Sequence, residues 1–217
     1  MKAVLISIQP KWCELIASGK KTVEIRKTKP KIDVPFKCYI YCTKGDWLTM
    51  VNGKVQKPNT MKIDLTVDSE IQELNGKVIG EFVCDSIGSY EYDQAFDESM
   101  GCYIDKYGYD IAYTDLGRTC LSYEDFESYG NTQNLYGWHI SDLVIYDKPK
   151  ELSEFFHYCG DNPKCDGCEA HYFSNTECGK EDYCCSIIDG CKPLKRPPQS
   201  WCYVEERSAD NEQREAD

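Results

Sequence analysis

Hydrophobic positions in the first part of the chain predict short strands and one short helix. Segment 2–8 has apolar β-branched residues at every second position, which is typical of a strand. Pro10 opens a segment whose apolar residues recur at i, i+3 and i+4, as on one face of a helix. Segments 22–26 and 36–43 alternate again, and 76–90 predicts a central strand whose glycines permit the bending that a closed β-barrel requires.

The later hydrophobic segments are less regular. Between 93 and 117 the chain is rich in Tyr, Asp and Gly and shows no usable period. Ser122 is placed to cap a short helix with an acidic first turn, and the asparagines at 131–134 are placed to end it. Segment 135–146 predicts one or two strands, and 149–156 predicts a helix entered through its proline. The pattern as a whole predicts an α+β domain of many strands and short helices.

The composition fits a folded protein without a membrane segment. Hydrophobic residues make up 41% of the 217 residues, which is enough for a core. The apolar run that begins at Ala3 is broken at Ser7, so it is too short for a signal peptide or a membrane span. We therefore expect a cytoplasmic protein that does not contact a membrane.

The net charge of −12 is unevenly distributed along the chain. Residues 1–63 hold 13 Lys and Arg against 4 Asp and Glu, which leaves −21 for the remaining residues. A basic segment of this kind is expected of a phosphate-binding face, while the acidic remainder would restrict a polyanion to that face. The alternative is that the lysines only solvate loops.

Strand 22–26 brings three charged side chains close together. Its apolar residues face one side, so Glu24 and Arg26 share the other side, and Lys21 directly precedes the strand. A lysine beside a carboxylate is either part of a structural ion pair or, in a groove without water, a proton donor or acceptor. Arg26 is suited to bind a phosphate through two hydrogen bonds. We expect Lys21 and Arg26 to face solvent, where their replacement by alanine would weaken ligand binding without unfolding the domain.

The order of strand, proline-initiated helix, turn and charged strand resembles the start of ASCH domains, a family of the PUA-like superfamily. The motif of that family is G-x-K-x-x-E-x-R, and Gly19, Lys21, Glu24 and Arg26 stand at its four positions. The resemblance covers residues 1 to about 147. It implies a PUA-like β-barrel with short helices, and a groove under the first helix that accepts a base, a nucleotide or an RNA strand.

Some small bacterial members of this family resemble enzymes, among them an amidohydrolase that removes the acetyl group from N4-acetylcytidine. The resemblance places Lys21 at the catalytic lysine of that enzyme and Glu24 where a threonine is expected. Glu124 and Asp125 match its distant glutamate by their order along the chain. As an enzyme, this protein would be a hydrolase of a modified nucleoside or RNA, with Lys21 and Glu24 as its catalytic residues.

Aromatic residues supply candidate stacking faces for a base. Trp47 lies in a basic loop and is the candidate for an exposed stacking residue, whereas Trp12 and Trp138 are expected in the core or the groove wall. His139 is expected to be a hydrogen-bonded structural residue. Further candidates are Tyr39 and Tyr41.

The composition changes after residue 147. A helix and a cysteine-rich segment are predicted over 148–204, followed by a disordered tail at 205–217. Cys165 and Cys168 have the C-x-x-C spacing of a structural zinc site, and Cys184 or Cys185 are candidate partners for them. Free thiols, disulfides and an iron–sulfur cluster are the alternatives. Further candidate ligands are Cys159, His171, Cys178, Cys191 and Cys202. This layout resembles small proteins of bacterial prophages and mobile elements.

Three functions follow from these observations. The first is a module that binds RNA, a nucleotide or a nucleoside through Gly19, Lys21, Glu24, Arg26 and Trp47. The second is the hydrolase described above, and the third is an adaptor that binds another protein through its acidic part. A charged cluster inside an open pocket would favour the first two, and a filled groove the third.

Overall fold

The computed structural model describes residues 2–45, 48–51, 53–56, 71–97, 99–157 and 194–206. Its strands, in chain order, are β1 (Ala3–Ile8), β2 (Val23–Arg26), β3 (Phe36–Cys42), β4 (Thr49–Val51), β5 (Lys54–Gln56), β6 (Ile71–Glu73), β7 (Val78–Cys84), β8 (Ile87–Tyr90), β9 (Tyr92–Asp97), β10 (Cys102–Tyr109), β11 (Leu135–His139), β12 (Ser141–Lys150), β13 (Phe155–His157) and β14 (Trp201–Glu206). Its helices are α1 (Pro10–Ala17), α2 (Tyr113–Thr119) and α3 (Tyr123–Gly130), with one turn of 3-10 helix at Leu152–Glu154.

A six-stranded sheet forms the centre of the fold, in the order β12-β7-β3-β1-β14-β13. Strand β1 pairs in parallel with β3 and antiparallel with β14. Its side chains alternate between two apolar clusters, with Val4 and Ile6 on one face of the sheet and Leu5 on the other. All three are fully buried, so the alternation predicted for residues 2–8 marks a strand that is covered on both faces.

A three-stranded sheet, in the order β2-β11-β8, meets the large sheet at a corner. The chain passes between the two sheets four times, from β1 to β2, from β2 to β3, from β7 to β8 and from β11 to β12. Backbone hydrogen bonds fix the passage from β11 to β12. The His139 amide donates to the Ser86 carbonyl, between β7 and β8 (3.0 Å), and the Ile140 amide donates to the Thr22 carbonyl, just before β2 (2.9 Å). This corner holds β2 beside the end of β1.

The predicted α+β class, with many strands and short helices, is confirmed. The helix after Pro10 and the helix capped by Ser122 form as predicted, and the Ser122 hydroxyl accepts the Asp125 amide at 3.1 Å. The single strand predicted over 76–90 is instead two strands, because the chain changes sheets at 85–86. Within 93–117, where the pattern predicted nothing, the hairpin β9–β10 and helix α2 are found. No described helix has the length and apolar character needed to cross a membrane.

The helix predicted over 149–156 is wrong. Strand β12 continues to Lys150, and after a single 3-10 turn the chain forms β13, which pairs with β14. Phe155 is fully buried there, and pairing with a distant strand outweighs the local helical pattern. Strands from both sides of residue 147 therefore lie in one sheet.

The predicted zinc ligands Cys165, Cys168, Cys184 and Cys185 lie outside the described residues, as do the further candidates at 159, 171, 178 and 191 and the tail beyond 206. Structural zinc therefore stays a prediction. Cys202 is the exception among the candidates, because it lies in β14 and contacts the apolar cluster around Leu5. The part of the chain that the structure describes brings together no group of three metal-ligating side chains.

The pH dependence of the free energy of unfolding at alkaline pH tests whether the thiols of this core are buried. Burial raises the pKa of Cys84 to about 12 and that of Cys202 to about 11, from an ordinary value of 9.0. Above pH 9.0 the unfolded chain releases thiol protons that the folded chain keeps, so the free energy of unfolding should fall as the pH rises toward the folded pKa values. Each such thiol contributes a slope of up to about 1.4 kcal/mol per pH unit.

Urea unfolding between about pH 7 and 10 measures this slope. Cys84→Ala should flatten it, because one buried thiol is then missing. Cys102→Ala, at an exposed position, is the matched control and should leave the slope unchanged. Equal slopes in wild type and Cys84→Ala would contradict the prediction.

Candidate ligand-binding pocket

Strand β2 and the residue before it bring Lys21, Glu24 and Arg26 together. The apolar residues of β2 pack against Phe126 of α3, and the opposite face of the strand carries Glu24 and Arg26, as the alternation predicted. The expectation that Lys21 and Arg26 face solvent is wrong, since their exposed fractions are 3% and 8%. That face of β2 is covered, because Arg26 Nη2 donates to the Ser7 carbonyl of β1 at 2.7 Å.

Lys21 is held by three oxygen atoms. Its Nζ donates to the carbonyls of Val23 (2.9 Å) and of Thr119 (2.7 Å), at the end of α2, and lies 3.3 Å from Glu24 Oε2. Two of the three N–H donors of the ammonium group are thus used in hydrogen bonds to backbone carbonyls, and the contact with Glu24 is an ion pair. Lys21 thus ties β2 to α2.

Glu24 lies between the two cations. Its Oε1 is 3.0 Å from Arg26 Nη2, and its Oε2 faces Lys21 at 3.3 Å without hydrogen-bond geometry. Arg26 Nε is buried and has no hydrogen-bond partner in the structure. Two cations and one anion leave a net charge of +1 in a site with little solvent, where an unbalanced charge acts strongly on a ligand.

The cluster borders a pocket of about 320 Å³. The wall is built by β1, α1, β2 and α3, with Trp12 on one side and Tyr129 on another. The pocket is lined by Ser7, Gln9, Lys11, Trp12, Lys21, Glu24, Ile25, Arg26, Leu121, Asp125, Ser128 and Tyr129. Burial raises the pKa of Tyr129, with Arg26 opposing the shift and Glu24 adding to it, so its phenol is electrostatically part of the cluster.

Comparison with protein families identifies the chain. The model of the ASCH domain matches residues 6–157, which is more than half of the sequence. The chain belongs to the ASCH family. The α+β fold expected for a PUA-like domain of this family agrees with the strands and short helices described above.

Solved structures of an ASCH protein are similar to this chain. The crystal structure of ASCH from Zymomonas mobilis is 15% identical, with 99% of this chain and 93% of that chain covered and a TM-score of 0.46. A mutant of the same protein is 16% identical, with 100% and 97% covered and a TM-score of 0.45. Comparison with curated proteins gave no significant match.

In this ASCH domain, the residues of the motif are divided between the pocket and the backbone around it. Lys21, Glu24 and Arg26 line the pocket, but its described lining does not include Gly19. Gly19 has φ +72, a left-handed conformation that suits glycine, and its amide donates to the Ile16 carbonyl at the end of α1. Its role in ligand binding, like that of the other three residues, stays a prediction.

The other predicted residues lie in different places. Trp12 and Asp125 line the pocket, Glu124 is exposed beside it, and Trp47 lies outside the described residues. Trp138 is fully buried in the core. His139 is a hydrogen-bonded residue, as expected, since its Nδ1 lies 2.6 Å from Asp85 Oδ1. Tyr39 and Tyr41 are buried in the cluster around Leu5, on the opposite face of the large sheet.

Sequence reasoning missed several residues of the pocket wall. Ser128 and Tyr129 are among them, and with Asp125 they have the i, i+3, i+4 spacing of one helix face. That spacing was a usable signal once the helix had been predicted. Lys11 and Gln9, at the start of α1, carried no comparable signal.

Proposed function

We propose that this ASCH domain binds RNA or a nucleotide in the pocket above Lys21, Glu24 and Arg26. The observation that carries the proposal is this buried cluster with its net charge of +1 at the wall of an open pocket of about 320 Å³. A volume of this order is typical of small-molecule sites. Charged side chains are rarely buried unless they are paired, and here the pairing leaves one positive charge unbalanced.

The lining has the chemistry that a nucleotide needs. Arg26 supplies a guanidinium group for a phosphate or the acceptor edge of a base, and Lys11 adds a third cation to Lys21 and Arg26. The Trp12 and Tyr129 rings offer faces on which a base can stack, each worth about 1–3 kcal/mol. The pocket therefore combines positive charge with aromatic surface.

The contacts of Lys21 support binding rather than turnover. A general base needs a lone pair directed at the substrate, but three oxygen atoms already surround the Lys21 Nζ. Lys21 is thus a positioning residue that fixes Glu24 between two cations. In the hydrolase alternative, with Lys21 and Glu24 as catalytic residues, these contacts would first have to break.

The open pocket also supports ligand binding over the adaptor alternative. An adaptor with a vestigial groove would have apolar side chains in the space that the charged cluster borders. The described lining instead holds charged or hydroxyl side chains at most positions. A protein partner for the acidic part of the chain stays a prediction.

Arg26→Lys should weaken the binding of a single-stranded RNA or of a nucleotide by about ten-fold or more. The substitution keeps the positive charge but removes the planar guanidinium group, which can donate two parallel hydrogen bonds to one ligand. Arg118→Lys is the matched control, since Arg118 lies half-exposed in α2 outside the pocket lining. Fluorescence anisotropy with labelled RNA and calorimetry with nucleotides and N4-acetylcytidine measure the affinities.

The same incubations should be analysed for products by chromatography. Binding without product supports the proposal, and equal affinities for Arg26→Lys and Arg118→Lys would contradict it. Product that disappears in Lys21→Gln would instead support the hydrolase alternative. Absence of both binding and product would leave the adaptor.

A further inference from the structure

Lysine side chains lie over aromatic rings along the surface that leads away from the pocket. We name this surface the lysine–aromatic strip. The distances from Nζ to ring centroid are 4.2 Å for Lys11 over Trp12, 5.5 Å for Lys27 over Tyr129, 5.3 Å for Lys29 over Tyr136 and 3.9 Å for Lys2 over Tyr203. Each pair places an ammonium group on the face of a ring that is at least partly exposed.

The strip begins at the pocket. Trp12 and Tyr129 belong to the pocket wall, and Lys27 directly follows Arg26 in the chain. Tyr136 lies opposite Arg26 in the pairing of β11 with β2. The first two rings of the strip are therefore shared with the proposed nucleotide site.

Residues 27–31 extend the strip from the pocket to β14. The Trp201 Nε1 of β14 donates to Thr28 Oγ1 at 2.9 Å, and the Lys31 amide donates to the Tyr203 hydroxyl at 2.7 Å. The Trp201 and Tyr203 rings are themselves 5.4 Å apart. This segment is thus fixed beside the rings by its backbone and by Thr28, which leaves the side chains of its three lysines available to a ligand.

We propose that the lysine–aromatic strip holds a single strand of RNA that continues out of the pocket. The inference rests on the proposed function. It adds that the RNA is single-stranded and states which surface the strand follows outside the pocket. A lysine over an exposed ring contributes about 0.5–1 kcal/mol, whereas a base stacked on the same ring contributes about 1–3 kcal/mol. A base therefore displaces the lysine from the ring, and the displaced ammonium pairs with a phosphate.

A single strand fits the strip better than a duplex does. Bases in a duplex are stacked on one another and offer no free faces, whereas the bases of a single strand can stack on aromatic side chains. The charge distribution favours the same surface, because residues 1–45 hold 10 Lys and Arg against 3 Asp and Glu. The acidic remainder of the chain repels a strand elsewhere.

The test compares two triple variants of equal charge change. The strip variant is Lys27→Ala, Lys29→Ala and Lys31→Ala, and the matched control is Lys77→Ala, Lys148→Ala and Lys150→Ala, beside the other end of the large sheet. Lys31→Ala leaves its backbone hydrogen bond in place. The probes are a labelled single-stranded RNA of about 12 nucleotides, its duplex, and the mononucleotides AMP, CMP, GMP and UMP.

The strip variant should bind the single strand at least about ten-fold more weakly than the control variant. The slope of log K against log salt, measured between about 50 and 200 mM, should be smaller by about 2, because three phosphate contacts of a single strand are lost at about 0.7 each. Affinity for the mononucleotides should be unchanged, because Lys27, Lys29 and Lys31 are not among the residues that line the pocket.

The outcomes separate this inference from the proposed function. Equal affinities and slopes for the two triple variants, with wild-type mononucleotide binding retained, would overturn the strip and leave the nucleotide site. A duplex bound as tightly as the single strand would overturn the choice of ligand, as would a poly-glutamate peptide that displaces the RNA at equal concentration. A wild-type protein that binds neither RNA nor mononucleotide would overturn both proposals.

Discussion

Glu24→Ala is expected to lower the free energy of unfolding by about 3–5 kcal/mol, because it removes the anion from a buried pair of cations. Lys21 and Arg26 are 3% and 8% exposed, and Glu24 contacts both. Once the carboxylate is gone, two positive charges remain close together in a site with little water to screen them.

Urea denaturation measures this loss, with Asp115→Ala as the matched control. Asp115 also pairs with an arginine, at 3.6 Å from Arg118, but both side chains are more than two-fifths exposed. An exposed pair contributes about 0–1 kcal/mol, so the control should be nearly as stable as wild type. Similar losses in the two variants would show that the cluster is not electrostatically buried in solution.

A ligand should reduce the difference between Glu24→Ala and wild type if it carries negative charge. A phosphate placed beside Lys21 and Arg26 supplies the missing anion, and binding to the folded state alone adds stability. The stability of the cluster and its proposed function thus depend on the same charges.

The sequence predicted the composition of this cluster but not its burial. Strict alternation over 22–26 was enough to place Glu24 beside Arg26, because neighbouring side chains on one strand face are set by backbone geometry. Burial depends on the parts of the chain that cover the strand. The Thr119 carbonyl that accepts from Lys21 lies 98 residues further along the chain, so alternation within the strand carries no information about it.

The same distinction applies to the fold. Strands β1 and β3 and helices α1 and α3 have clear local patterns, and they form as predicted. Strand β14 pairs with β1 through contacts such as that of Ala3 with Val204, and it follows a cysteine-rich segment that suggested a separate unit. Long-range pairing of this kind overrides local propensity, as the wrong helix at 149–156 also shows.

The pocket wall was predictable on one side only. Trp12 and the charged residues of β2 were identified because they belong to one continuous segment with a recognisable motif. Tyr129 and Ser128 come from α3, whose position over the pocket follows from the packing of Phe126 against the apolar face of β2. That packing is a tertiary contact, and the helix period alone does not show which strand it covers.

Phe155→Ala tests whether the sheet needs the strands that follow residue 147. Phe155 is fully buried in β13, its ring centroid lies 4.8 Å from that of Tyr39, and its carbonyl accepts the Leu194 amide at 2.8 Å. The substitution leaves a cavity between β3 and β14, so we expect the free energy of unfolding to fall by about 3–5 kcal/mol.

Phe156→Ala is the matched control, because the next residue of the strand points to the opposite face and is only partly buried. Its loss should be clearly smaller in the same urea titration. A large loss for Phe155→Ala alone means that β13 and β14 are needed to complete the ASCH domain and that a chain ended at residue 147 would not be stable. Small and equal losses would mean that the first 147 residues, which the resemblance to ASCH domains covers, are stable without them.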